Sequence, residues 1–123
     1  DSGGFFQAAG ERRLVVKSCR SCGAVLHLPR AYCSHCDSWD TDWREVGGRA
    51  TLYAWTVVVR QFHPAYPSPY TVVLVDLDDA PGARLAGYLP GRPDLVAGQA
   101  MELWWDEVPS DDGVVLPNWR PVA

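Results

Sequence analysis

The chain's four cysteines form two Cys-x-x-Cys pairs, Cys19 with Cys22 and Cys33 with Cys36. A two-residue spacing lets a tight turn point both sulfurs at one centre, and Gly23 can adopt the left-handed backbone that such a turn often needs. Four thiolates that converge on one point suit a tetrahedral metal site in which no ligand position stays open for water. The sequence therefore predicts a structural zinc site (Zn²⁺) held by these four cysteines.

Four cysteines can also serve chemistries other than zinc binding. Two disulfides would use the same residues, but two adjacent pairs with nothing else stapled suit a secreted scaffold poorly. A redox site would need one Cys-x-x-Cys pair beside a strand–helix unit. Iron fits the same four-sulfur geometry, so the sequence leaves zinc and iron both open. His27 and His35 are predicted to be surface residues, because four cysteines already satisfy the metal.

The N-terminal residues 1–13 predict a short amphipathic helix ahead of the metal site. Phe5, Phe6 and Ala9 would form its apolar side. Because a helix this short is not stable alone in water, it must lie on the rest of the domain or on a partner protein.

Residues 14–46 predict a small zinc ribbon. A strand at 14–18 would enter the first knuckle, and 24–28 would form its return strand. Trp39 and Trp43 are expected to pack over the junction between the ribbon and the unit that follows. A unit of this size is usually too small to fold without a metal or a disulfide, so the ribbon should depend on its zinc.

The Gly47–Gly48 pair marks the start of a second unit, residues 47–123. Strand-like segments rich in β-branched and aromatic residues follow at 51–60, 70–77, 84–89, 101–107 and 114–119. The connection at 90–99 has room for one helical turn. Five strands with a short helical link between the third and the fourth are the plan of an OB-fold. The chain is therefore predicted to be mainly β: a short N-terminal helix, a zinc ribbon and a five-stranded OB-fold barrel.

The residue patterns of the first two strands predict which side chains share a face of the sheet and which strand is central. The period-two rule puts Tyr53, Trp55, Val57 and Val59 on one face of the first strand. The second strand, 70–77, is apolar on both faces for most of its length, so it is predicted to be central in the sheet.

The loop at 60–70 is the stretch predicted to touch a ligand or a partner. Its three prolines hold it extended and stiff, while Phe62, His63, Tyr66 and Tyr70 give it aromatic and polar tips. In OB-folds this first loop flanks the usual binding face. The purely structural alternative is that Phe62 and Tyr66 cap one end of the barrel and that His63 caps a strand.

Composition bounds the function further. The formal net charge of −4 argues against nucleic acid as the main partner, because phosphate binding needs a basic surface. No apolar run approaches the length of a membrane span, and thiolate cysteines indicate a reducing cytoplasm. His63 is the only histidine outside the ribbon, and no glycine-rich phosphate loop is present. Catalysis by the chain alone is therefore not indicated.

The order of these parts resembles a known family. After the short helix with its Phe-Phe pair, the segments that carry the resemblance are L-V-V-K-S-C-R-S-C-G, P-R-A-Y-C-S-H-C, W-R-E-V-G-G-R-A-T-L-Y-A-W-T-V-V, F-H-P-A-Y and P-Y-T-V-V-L-V-D-L. Together they resemble the acyl-CoA-associated family in which a rubredoxin-like zinc ribbon is joined to an OB-fold, long classed as a domain of unknown function.

The resemblance implies an accessory role. Members of that family occur alone or fused to a hydratase of the hot-dog type, and their usual companion is a thiolase-fold protein that acts on acyl-CoA thioesters. Some serve as scaffolds in thiolase complexes, and others activate a thiolase-like aldolase that shortens steroid side chains. This chain, which begins without a methionine, is accordingly expected to be a non-catalytic domain excised from a hydratase-fused chain.

The family's site residues carry over position by position. Its metal ligands match Cys19, Cys22, Cys33 and Cys36, all of which are present, and no catalytic residue carries over. The F-H-P-A-Y stretch at 62–66 matches a recurrent family segment expected to face the partner or CoA. Arg84 stands where the family often has an arginine and is expected to meet a CoA phosphate or to remain solvated.

Two other functions compete with the accessory role. Zinc ribbons and OB-folds commonly bind single-stranded nucleic acid, although the net acidity of the chain speaks against this use. The third hypothesis is an independent CoA-binding or hydrolytic enzyme. Fold analogy alone does not choose among them, because OB-folds host many activities.

Overall fold

The structure, a computed structural model, describes residues 3–60, 64, 66–107 and 115–122. It contains one helix and seven strands: α1 Gly3–Gly10, β1 Val15–Cys19, β2 Thr41–Glu45, β3 Arg49–Val58, β4 Tyr70–Leu77, β5 Arg84–Pro90, β6 Ala100–Glu107 and β7 Val115–Pro121. β1 and β2 form a two-stranded sheet, and an antiparallel five-stranded sheet has the order β5-β4-β3-β6-β7. The predicted mainly β plan is confirmed. Within these residues no helix has the length and apolarity needed to cross a membrane.

The ribbon is built differently from the predicted one. β2 pairs antiparallel with β1, from Val15 opposite Glu45 to Cys19 opposite Thr41. The charged sequence of β2, T-D-W-R-E, did not predict a strand. The return strand predicted at 24–28 is wrong, because that stretch makes only an isolated bridge between Ser18 and Val25. The second knuckle is thus flanked by β2 rather than by an extension of the first turn.

The helix α1 packs on its own domain. Ala8 and Ala9 are buried, and Phe5 packs against the main hydrophobic core. Phe6 is 51% exposed, so the predicted apolar side is wrong for this residue. Just after the helix, Arg12 forms a salt bridge with Glu107 of β6, which ties the N-terminal segment to the large sheet.

The two tryptophans predicted at the junction have different surroundings. Trp39 is 73% exposed. Within the described residues its one ring contact is with Tyr32 of the ribbon, at 4.8 Å between the ring centroids. The prediction for Trp39 is therefore wrong. The indole of Trp43 lies against α1 beside Gly4, with the Lys17 ammonium 4.9 Å from its ring centroid. Trp43 thus holds the helix to the ribbon.

In the large sheet, β4 has the predicted bounds and lies between two other strands. Every second residue of it faces the core: Thr71, Val73, Val75 and Leu77 are all buried. A register shift between Leu52 and Ala54 interrupts the alternation of β3. Because a bulge inserts one residue, it turns the side chains beyond it away from their expected positions. The single face predicted for Tyr53, Trp55, Val57 and Val59 is therefore wrong. Trp55 and Val57 lie opposite the core-facing Val73 and Thr71, whereas Tyr53, at the bulge, is 52% exposed.

β3 is only partly covered on its second edge. β6 pairs with it over Arg49–Thr51 alone, followed by two hydrogen bonds at Leu52 from the 98–99 turn. Beyond Leu52, the edge of β3 that faces away from β4 has no strand partner among the described residues. The connection at 91–99 contains turns but no helix, so the predicted helical link is wrong.

One hydrophobic core serves both parts of the molecule. Leu14, Val16 and Val46 from the ribbon pack in the same cluster as the inner residues of β3, β4 and β5. Trp119 of β7 is fully buried in it and has the largest side chain of that kind. The shared core therefore couples the stability of the ribbon to that of the barrel.

The barrel closes between β5 and β7 without a regular ladder. The backbone N–H of Tyr88 donates to the Asn118 side-chain oxygen at 2.8 Å, in place of a strand-to-strand bond. A methyl group on Gly87 would lie 2.8 Å from Cδ1 of Trp119 and 3.1 Å from its backbone nitrogen. The close approach of the two strands thus requires glycine at position 87.

We expect Gly87→Ala to destabilise the chain by about 1–3 kcal/mol, because the added methyl would force the two strands apart. Gly10→Ala is the matched control, since a methyl there meets no atom within 4 Å. Urea unfolding of the zinc-loaded chain, followed by tryptophan fluorescence, measures both. Equal stability of the two variants would contradict the described closure.

Candidate metal centre and tyrosine-lined cleft

The four cysteine sulfurs converge on one point. All of them lie within 4.8 Å of one another. The closest pairs join the two knuckles, with 3.5 Å between Cys19 and Cys36 and 3.7 Å between Cys22 and Cys33. A tetrahedron with Zn–S bonds of about 2.3 Å has sulfurs about 3.8 Å apart, whereas a disulfide bond is about 2.05 Å long. The thiols are free, and their spacing fits a metal ion rather than two disulfides.

The two knuckles share one backbone scheme. In each, the N–H of the first cysteine donates to the carbonyl five residues later, Cys19 to Ala24 and Cys33 to Ser38, both at 2.8 Å. The residue after the second cysteine has a left-handed backbone and donates its N–H to the first cysteine's carbonyl. These residues are Gly23, with φ 80°, and Asp37, with φ 62°. The prediction for Gly23 is confirmed, and aspartate is among the few other residues that tolerate this conformation.

The first cysteine of each knuckle is buried and the second is exposed. Cys19 and Cys33 form a separate small cluster with Leu26, which is too small a core to hold the ribbon by itself. Hydrogen bonding from the backbone N–H of Cys22 lowers the pKa of Cys19 to about 6, and the bond between Cys36 and Cys19 raises the pKa of Cys36 to about 12. Because zinc binds thiolates, its binding must displace protons and must weaken as the pH falls.

Neither histidine of the ribbon belongs to the group of metal-binding side chains. His35 is exposed, as predicted. His27 is only half-exposed, and its burial lowers its pKa, an effect opposed by a hydrogen bond to the backbone of Arg84. His27 therefore joins the ribbon to the start of β5, a role that its sequence position did not indicate.

A second feature of the structure is a cleft beside the predicted binding loop. Three tyrosines line it, with ring centroids 4.8 Å apart for Tyr66 and Tyr88, 5.5 Å for Tyr70 and Tyr88, and 6.2 Å for Tyr66 and Tyr70. Its volume is about 250 Å³, and Asn118 forms part of its lining. The structure thus brings two of the predicted contact residues together and adds Tyr88, which the sequence reasoning missed.

A carboxylate adjoins this cleft. The Asn118 side-chain amide donates to Oδ2 of Asp106 at 3.0 Å, while its oxygen accepts from Tyr88 as described above. Burial raises the pKa of Asp106, and the Asn118 hydrogen bond opposes that rise. Burial, followed by the charge of Asp106, raises the pKa of Tyr66 and of Tyr88. The carboxyl group therefore lies close enough to both rings to act on them electrostatically.

The other predicted contact residues lie elsewhere. Arg84, at the opposite end of β5 from Tyr88, pairs with Asp76 through two hydrogen bonds of 2.8 and 3.3 Å. Its guanidinium also lies 3.5 Å from the centroid of the Tyr53 ring. Phe62 and His63 fall outside the described residues. Arg84 is thus held by a carboxylate and a ring on the outer face of the sheet, away from the cleft.

Family models match both parts of the chain. Residues 6–41 match a model described as ChsH2, rubredoxin-like zinc ribbon domain, and residues 43–106 match one described as ChsH2, C-terminal OB-fold domain. Together with the four converging thiols, the ribbon match assigns structural zinc as the metal.

Similar proteins are found among curated sequences and solved structures. A probable enoyl-CoA hydratase alpha subunit of Thermomonospora curvata is 38% identical over 125 residues, which cover 100% of this chain but only 38% of that protein. A chain of the structure described as Ltp2-ChsH2(DUF35) aldolase is 36% identical, with a TM-score of 0.88 over 98% of this chain and 94% of that one. A Sulfolobus solfataricus protein of the DUF35 family, of unknown function, shares the fold at 17% identity, with a TM-score of 0.61 over 81% of this chain and 72% of that one.

Proposed function

We propose, because the chain belongs to the ChsH2 family of zinc ribbons joined to an OB-fold, that it is a non-catalytic accessory domain of a thiolase-like enzyme. The observation that carries this proposal is the similarity, over nearly the whole chain, to a chain of the Ltp2-ChsH2(DUF35) aldolase. In this role the domain binds the enzyme subunit and raises its activity, while the chemistry takes place on the partner.

The surface supports a role in a complex. Large apolar side chains are exposed on several elements, among them Leu28 at 75%, Phe6 at 51% and Tyr53 at 52%. Phe6 and Leu28 line one surface groove, and contiguous exposed apolar surface marks interaction sites in soluble proteins. The OB-fold alternative, nucleic-acid binding, finds no support in the cleft, because its carboxylate would repel phosphate.

We propose that the partner acts on acyl-CoA thioesters in the cytoplasm, and that its reaction is the aldolase step that shortens a steroid side chain. Because the matched hydratase subunit is longer than this chain, we also propose that a hot-dog-type hydratase accompanies the domain, on the same polypeptide or as a separate subunit. Tyr66, Tyr70, Phe62 and His63 are proposed to face the partner, and Arg84 to face the partner or CoA.

Co-expression with the thiolase-like protein encoded beside the chain tests this proposal. We expect the two proteins to co-elute in size exclusion, and the partner without the domain to lose activity by at least about tenfold, or about 1.4 kcal/mol of activation free energy. A thiolase from an unrelated pathway serves as the control partner and should elute separately. Separate elution from the neighbouring protein, with full activity of that protein alone, would contradict the accessory role.

A further inference from the structure

The Asp106 carboxylate beside the tyrosine-lined cleft has no balancing cation within the described residues. Asp106 receives one hydrogen bond, from Asn118 to its Oδ2, and it forms no ion pair with any residue that the structure describes. The side chains that line the cleft are tyrosine, asparagine and small or apolar residues, without a lysine or an arginine. A nearby positive charge stabilises the ionised form of a partly buried carboxylate.

The rings add to this preference. The face of a tyrosine ring carries the negative end of its quadrupole, so it attracts a cation and repels an anion. Tyr66, Tyr70 and Tyr88 surround the opening at centroid distances of 4.8–6.2 Å from one another. The ring faces and the Asp106 carboxylate therefore select for the same sign of charge.

Hydrogen bonds also hold the carboxylate beside the rings. Asn118 bonds simultaneously to the Tyr88 backbone and to Asp106, so the carboxylate keeps its position relative to the rings. The volume of the cleft, about 250 Å³, lies below the range of about 300–1,000 Å³ that is typical of pockets for drug-sized ligands. A single inserted side chain suits these dimensions better than a complete nucleotide cofactor.

We infer that this cleft is a socket for the guanidinium group of an arginine on the surface of the partner subunit. Arginine fits better than lysine, because its planar group can stack on the tyrosine faces while its N–H groups donate to the Asp106 carboxylate. The inference rests on the proposed function for the identity of the partner. According to this inference, the group that binds beside the 60–70 loop is a cation of the partner protein and not a phosphate of CoA.

Charge-neutralising variants of the complex test the sign of the occupant. Asp106→Asn keeps an oxygen that can accept the Asn118 hydrogen bond, and we expect it to weaken binding of the thiolase-like partner by at least tenfold. The matched control is Glu102→Gln, which removes the same charge from the same strand at a residue paired with Arg120. It should leave the affinity unchanged. An anionic occupant predicts tighter binding by Asp106→Asn, and an apolar one predicts no change; either result would overturn the inference.

A ring variant tests the second half of the socket. Tyr88→Phe keeps the ring face and should bind the partner nearly as well as the parent chain, whereas Tyr88→Leu should lose affinity by about the same factor as Asp106→Asn. Melting temperatures of the zinc-loaded variants show whether each one is folded. Equal loss in both Tyr88 variants, with unchanged melting temperatures, would show that the hydroxyl and not the ring face makes the contact.

A small probe tests the socket without the partner, so it still decides the question if no complex forms. The zinc-loaded chain, labelled with 3-fluorotyrosine, is titrated with N-acetyl-arginine methylamide and followed by fluorine NMR. The resonances of Tyr66, Tyr70 and Tyr88 should shift, while those of Tyr32 and Tyr53, which lie elsewhere, should not. The uncharged citrulline analogue should cause no shift, and Asp106→Asn should abolish the arginine response. Equal responses to both probes would overturn the socket, whereas a normal arginine response without any partner complex would overturn the proposed function alone.

Discussion

Replacing Cys33 with serine is expected to remove zinc and to unfold the ribbon. Structural zinc contributes about 10–16 kcal/mol of apparent binding free energy in small zinc-dependent units. Cys33 is fully buried at the centre of the small ribbon cluster, where a serine hydroxyl could not replace a thiolate ligand. Because Leu14, Val16 and Val46 belong to the core of the barrel, loss of the ribbon should also lower the stability of the large sheet.

The measurement combines zinc content with thermal unfolding. Cys33→Ser should bind less than one zinc per chain, and its melting temperature should fall below that of the parent by far more than any surface variant. A strong chelator should reproduce the effect on the parent chain. His35→Ala is the control, since His35 is exposed next to the metal site but is not a member of the ligand group. A Cys33→Ser chain that keeps its zinc and its melting temperature would refute the four-thiolate centre.

Truncating Trp119 to alanine is expected to cost about 3–5 kcal/mol, the range found for large aromatic residues removed from cores. Trp119 is completely buried and lies where β7 meets β5 at Gly87. Its removal would leave a cavity on both sides of the barrel closure. Its indole Nε1 has no hydrogen-bond partner within the described structure, so Trp119→Phe loses volume but no hydrogen bond and should cost less.

Urea unfolding of the zinc-loaded variants measures these differences. The control is Trp39→Ala, because Trp39 is 73% exposed and its loss should change stability by no more than about 0.5 kcal/mol. The order Trp119→Ala, Trp119→Phe and Trp39→Ala, from the largest to the smallest loss, follows from burial alone. A Trp39 variant as unstable as the Trp119 variant would contradict the described core.

The features that sequence reasoning predicted correctly are set by local sequence. The two Cys-x-x-Cys turns and the left-handed Gly23 depend on a few adjacent residues, and the structure confirms the convergence of the sulfurs. The bounds of β4 were also predicted, because a run of apolar, mostly β-branched residues identifies a central strand. In both cases no distant part of the chain is needed to decide the structure.

The errors share a different cause. β2 is charged and forms only because its residues meet β1 more than twenty positions away. The bulge after Leu52 leaves no mark in the alternation of β3, yet it breaks the single face predicted for Tyr53 and Trp55, because Trp55 now lies opposite the buried Val73. Trp39 is of a residue type that is usually found in cores, but the hydrophobic cluster of the ribbon is too small to bury it.

The cleft could be predicted only in part. The aromatic loop indicated Tyr66 and Tyr70, whereas Tyr88 and Asp106 come from two strands that meet the loop only in the closed barrel. A tyrosine on the outward face of β5, between two inward-facing residues, is the one sequence signal that could have included Tyr88. Nothing local distinguishes Asp106 from the other acidic residues of the chain.

The edge of β3 that has no strand partner in the described part of the chain bears on the behaviour of the protein in solution. Between Thr51 and Val59 the sequence contains no charged residue and no proline, which are the usual devices that stop one sheet edge from joining another. The bulge at Tyr53 is the one such device in this stretch. A preparation of the chain by itself is therefore expected to self-associate through this edge as its concentration rises. This association should limit the solubility of the folded chain under conditions in which it does not unfold.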